Sequence, residues 1–115
     1  MYADIDESRA CHEALRHIFV RDVAEAPDYR ALRRVLELCR CASAALDDRY
    51  CRDKLRLVED FAAELLSRNE HRRPQFLKEQ ILGALELYRS RLYSLELLRR
   101  SPAAPGLKRF QPLGT

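Results

Sequence analysis

Residues 28–68 read DYRALRRVLELCRCASAALDDRYCRDKLRLVEDFAAELLSR, a run with no Gly, Pro or Asn. Within it Leu32, Leu36, Cys39, Leu46, Tyr50, Leu57, Phe61 and Leu65 recur with helical spacing. At about 100° per residue these positions share one stripe. The run is helical, and the chain is expected to be all-α. As a single helix it would extend roughly 60 Å at 1.5 Å per residue, too long for a small domain. Its most polar point is Asp47-Asp48-Arg49, where Asp48 can act as an N-cap and divide the run. The unbroken stripe argues for one long central helix and three helices in all. Length matching favours two helices, and with them an antiparallel up-down bundle of four.

Working outward, the N-terminal side predicts a helix over 6–26, with Asp4, Asp6 and Ser8 as candidate caps and Pro27 as its stop. Its inner stripe is Cys11, Ala14, Leu15 and Ile18, with Phe19 and Val23 on one flank. On the other side, Asn69 and Pro74 bracket a connection, and Pro74 suits a first helical turn. A last helix follows over 75–99, with Leu77, Ile81, Ala84, Leu85, Tyr88, Leu92 and Leu95 facing inward. The four helices are thus expected near 6–26, 28–46, 49–68 and 75–99. Their shared core draws on Leu15, Ile18, Leu32, Leu36, Cys39, Leu46, Leu57, Phe61, Leu65, Ile81, Leu85, Tyr88 and Leu92. Residues 1–100 form the bundle, and the Pro/Gly-containing segment 101–115 reads as a flexible tail.

A chain of 115 residues is one domain by size, and 34% charged residues suit a highly helical fold. No apolar run approaches the ~20 residues of a membrane span. The acidic N-terminus lacks the apolar core of a signal peptide, so the cytoplasm is the expected compartment. Eighteen arginines against three lysines suggest a GC-rich, bacterial genome on codon usage alone. The net charge of +3 is uneven: residues 70–115 hold nine bases and four acids, residues 1–26 three bases and six acids. Cys11, Cys39, Cys41 and Cys51 lack a secretory context and are expected reduced, with Cys11 and Cys39 inside and Cys41 the exposed thiol.

The motifs of catalysis are missing. Cys39-Arg40-Cys41 sends its sulfurs to opposite helix faces, unlike the close pairs of a structural zinc site. No Glu has a His three residues on, as bundle di-iron sites require. Cys11-His12-Glu13-Ala14-Leu15-Arg16 lacks the Lys-Gly that follows the histidine of phosphotransfer bundles. With Gly83, Gly106 and Gly114 the only glycines, there is no phosphate loop. No catalytic residue, metal or cofactor is expected, and all three histidines are assigned to solvent.

An interaction protein remains: an adaptor, chaperone or regulator. The last helix carries apolar residues outside its inner stripe: Phe76, Leu82, Leu87, Tyr93, Leu97 and Leu98. A helix apolar on so many sides is either the central helix of a core or buried by a second partner, and four helices around one core leave each an outer face. Leu82, Tyr93 and Leu97 are the expected contact strip, for a homodimer or another protein, with Phe110 and Leu113 of the tail as further anchors. The alternative is a nucleic-acid-binding regulator. It would use Arg72, Arg73, Arg99, Arg100, Lys108 and Arg109 on phosphates.

Overall fold

The computed structural model describes residues 3–21, 28–67 and 73–100. Four helices occupy them: α1 (Ala3–Val20), α2 (Tyr29–Ala45), α3 (Arg49–Leu66) and α4 (Pro74–Arg100), with no strand among the described residues. Each helix packs on its sequence neighbours, and α1 closes the ring against α4. The helices alternate in direction. Asp28 N–H donates to the Leu66 carbonyl, joining the start of α2 to the end of α3. Lys78 donates to the Arg21 carbonyl, and Arg99 pairs with Asp4, at opposite ends of the α1–α4 seam. The all-α four-helix bundle is therefore what forms.

The long run does break at the acidic pair. Leu46 and Asp48 are extended, with φ/ψ of −139°/119° and −141°/120°. Asp48 accepts a hydrogen bond from the Cys51 amide at 3.0 Å, as Asp28 does from Ala31. Each carboxylate satisfies an amide that the first helical turn leaves without an intrahelical partner. Pro74 opens α4, where the missing N–H is harmless.

The buried faces correct the expected core on α2 as well as on α3, and on α3 the break resets the helical phase. On α2 the buried residues are Val35, Leu38, Cys39 and Ala42, while Leu32 and Leu36 are half-buried. On α3 they are Cys51, Leu55, Val58, Ala62, Leu65 and Leu66. Leu57 is 39% exposed, Tyr50 is exposed, and Phe61 is half-buried at the margin. The real inner face of α3 lies about a quarter-turn from the stripe drawn through the leucines. Small residues, Ala42, Cys51 and Ala62, let the helices approach there, so the largest side chains did not mark the centre. Ile18 is likewise half-buried, and Phe19, assigned to a flank, is fully buried. α1 begins at Ala3 and gives way to a bend at Arg21, earlier than the expected stop; residues 22–27 lie outside the described set.

α4 is half again as long as α3. At 1.5 Å per residue it runs about 40 Å against about 27 Å. Arg91 is level with the start of α3, because it pairs with Asp48 through two hydrogen bonds, at 2.9 and 3.2 Å. The turns from Leu92 to Arg100 therefore continue past α3 and keep only α1 alongside, through Arg9–Glu96 and Arg99–Asp4.

Candidate functional site

The overhang of α4 accounts for the exposed apolar residues near its end, though not for Phe76 and Leu87, which lie beside α3. Leu98 lies seven residues, or two turns, after Arg91 and on the same side of the helix. Had α3 been longer it would have covered Leu98; instead Leu98 is 68% exposed. Tyr93 at 62%, Leu87 at 47% and Leu97 at 46% continue the apolar surface around the outer face. Gly83, Ser90 and Ser94 lie among them, all exposed, and a Cβ at Gly83 would meet nothing within 4 Å. Of the strip expected from sequence, Tyr93 and Leu97 are in place, while Leu82 is half-buried against the core. Phe110 and Leu113 lie outside the described residues.

A second feature, invisible in the sequence, sits on the α1–α4 seam. His12, assigned to solvent, is 1% exposed. Its ring lies 6.1 Å from that of Tyr88, and the Tyr88 hydroxyl donates to the Ser8 carbonyl at 3.3 Å. Neither His12 nitrogen has a hydrogen-bond partner, and nor does Ser8 Oγ, one turn earlier on the same face. Burial holds His12 below its usual imidazole range, opposed by Glu13 and Glu86 and assisted by Arg89 and Arg16. His12 is therefore neutral near pH 7. It borders a pocket of about 180 Å³ lined also by Arg9, Glu13, Arg89, Leu92 and Tyr93. The position of His12 was the available signal: it follows Cys11 and precedes Leu15 by three, at core spacing.

The cysteines divide by burial. Cys11, Cys39 and Cys51 are buried and free, and Cys41 is exposed. Cys51 thus joins the two thiols expected inside. Desolvation pushes Cys39 and Cys51 up to about 12, and Asp48 adds to the effect at Cys51. Among the described residues no three ligand-type side chains come together.

Two of the candidate phosphate-binding residues already hold carboxylates. Arg99 pairs with Asp4 and Arg100 with Glu96, each across or along the α1–α4 seam. Arg73 is exposed, while Arg72, Lys108 and Arg109 lie outside the described residues. The structure also brings Arg40, Arg52 and Arg56 together around Ser43 in an open groove between α2 and α3. Arg52 there pairs with Asp47, and Glu59 sits on the rim.

No family model, curated protein or solved structure matches the chain. No helix among the described residues is long and apolar enough to cross a membrane.

Proposed function

We propose that the chain is a non-enzymatic protein–protein interaction module that works through the apolar outer face of α4, whose last third overhangs α3, first as a homodimer. The observation that carries this is the set Tyr93, Leu97 and Leu98, large apolar side chains exposed where α4 runs past α3, with Leu87 exposed just before them. Burying each contributes roughly 1.5–3 kcal/mol. Together that is of the same order as the cost of association. A second copy is the natural occupant. Two overhangs laid against each other would each supply the apolar flank the other lacks, in the two-fold arrangement usual for oligomers. Gly83, Ser90 and Ser94 leave room for a close helix–helix approach. Sedimentation at micromolar concentration is expected to show a dimer, and Leu97→Glu to shift it to monomer; wild type monomeric throughout would overturn the homodimer.

Contact with nucleic acid through the basic C-terminal third is the weaker reading, because Arg99 and Arg100 already hold carboxylate partners. It requires an affinity that falls steeply with salt and weakens when both arginines are neutralised. A partner bound through the apolar overhang responds little to salt.

A further inference from the structure

The groove between α2 and α3 gathers cations that the bundle does not neutralise. Asp28 at the start of α2 bonds to Leu66 at the end of α3, and this fixes the register of the hairpin. Equal rises along the two antiparallel helices then bring Arg40 level with a point midway between Arg52 and Arg56. Those two are one turn apart on the same side of α3. All three line one open groove of about 290 Å³, together with Ser43, Leu55 and Glu59.

This arrangement is unfavourable for the chain alone. Like charges at i and i+4 on a helix repel, and Arg40 adds a third from across the seam. Asp47 offsets Arg52. Among the described residues neither Arg40 nor Arg56 has a carboxylate within ion-pair distance. Glu37, on the same helix as Arg40, is turned to Arg34 instead. Glu59 lines the groove but meets neither guanidinium. The arginines of the His12 pocket differ, since Arg9 holds Glu96 and Arg89 holds Glu86. Two guanidinium forks thus open on one groove with donors to spare.

The number and placement of these donors select the acceptor. A carboxylate is planar, carries one charge and is matched by a single fork. A phosphate monoester carries close to two charges near neutral pH and has three terminal oxygens, so it can accept from guanidiniums on two sides at once. The groove lies just below the usual ligand-site range of roughly 300–1,000 Å³. Its one apolar lining residue, Leu55, is only 1% exposed. It therefore has room for the charged group and leaves the carrier outside.

We propose that this groove binds a phosphate monoester group, held between Arg40 and Arg56, with Ser43 and Arg52 at the end nearest the hairpin turn. The phosphate supplies the countercharge that the fold does not. Glu59 opposes any anion there and limits the affinity. The groove does not involve α4, so the proposal stands or falls independently of the homodimer.

Phenyl phosphate is the probe, followed by calorimetry and by NMR of the Arg40 and Arg56 Nε–H groups, each assigned by its loss in the Gln variant. Saturable binding is expected, with a dissociation constant of roughly 1 mM or tighter. Arg40→Gln and Arg56→Gln, both changes at exposed positions, should each weaken it about tenfold, as loss of a charged hydrogen bond does. Glu59→Gln should tighten it. Benzoate, the same ring with a planar monoanion, should bind about tenfold more weakly. A phosphoserine peptide identifies the carrier: tighter binding than phenyl phosphate assigns a phosphorylated protein segment, and equal or weaker binding a small phosphate ester. Binding that never saturates, equal affinity for benzoate, unchanged affinity in the arginine variants or weaker binding in Glu59→Gln would each overturn the proposal. So would tighter binding of a single-stranded oligonucleotide without a terminal phosphate, which would make the groove a contact for a phosphodiester backbone.

Discussion

The two halves of the bundle are built on different terms. The α2–α3 hairpin is sharply amphipathic. Each of its helices begins on an aspartate cap, and every buried residue is apolar or cysteine. The α1–α4 pair is blurred. It buries Ser8, His12 and the Tyr88 hydroxyl at its seam, ties itself with Arg9–Glu96 and Arg99–Asp4, and exposes Val20, Phe76, Leu87, Tyr93, Leu97 and Leu98, against Tyr29, Tyr50 and Leu57 on the hairpin. The first half follows the rules that make a stable bundle, and the second departs from them at several places close together. Such departures from the consistency of the rest of a fold are where function or strain is expected to concentrate.

The largest expected effect tests whether the α2–α3 half carries the stability. Leu55→Ala removes a side chain that is 1% exposed and should destabilise by about 3 kcal/mol, as core truncations do. Leu98→Ala on the overhang should change the stability of the isolated chain by less than about 0.5 kcal/mol. Urea denaturation of both variants checks the contrast; similar values for the two would break it.

The caps give a smaller, sharper comparison. Asp28→Ala loses a cap alone and should destabilise by about 1 kcal/mol. Asp48→Ala loses a cap together with the paired hydrogen bonds to Arg91, so it should destabilise by about 2 kcal/mol. Only in Asp48→Ala should a further Arg91→Ala substitution add little, because the two side chains act together.

Titration separates the halves by pH. Burial lowers the His12 value, so the unfolded chain takes up a proton near 6.5 that the folded chain refuses. Stability is full above pH 6.5 and falls as the pH drops below it. The groups facing the ring are Glu13 and Arg16 on α1 and Glu86 and Arg89 on α4. His12→Phe should flatten that slope. Asp48 acts in a lower window: Arg91 holds it at about 2, so its contribution persists above pH 3.8 and is lost between there and about 2. Denaturation followed from pH 7.5 to 2 should show two separate declines, the upper absent in His12→Phe and the lower reduced in Asp48→Asn, where Asp4, which Arg99 also holds below its usual range, still contributes.

The smallest effect concerns the thiols. Cys41 should react with a thiol reagent well before the other three, which need an opening of the bundle. Cys41→Ser should abolish the fast phase and leave stability within about 0.5 kcal/mol. Fast labelling that survives in Cys41→Ser would place the most open part of the hairpin elsewhere.

The sequence by itself determined the class of fold and the starts of α2, α3 and α4; it left three helices or four open, and it started α1 later than Ala3. Those features are local: caps act within one turn, prolines restrict their immediate neighbours, and helical periodicity is written in the order of residues. The inner face of α4 was legible for the same reason, since Leu77, Ile81, Leu85, Tyr88 and Leu92 lie on one uninterrupted helix. Tertiary structure decided the rest. Three non-helical residues at 46–48 rotated α3 away from the stripe, which exposed Leu57 and turned Cys51 inward. The overhang that bares Leu98 depends on the difference in length between α4 and α3 once they are laid side by side. The burial of His12 depends on α4 covering α1, and its pocket on arginines from two helices separated by most of the chain. Rotation, overhang and pocket are relations between helices, and no single helix's residue pattern contains them.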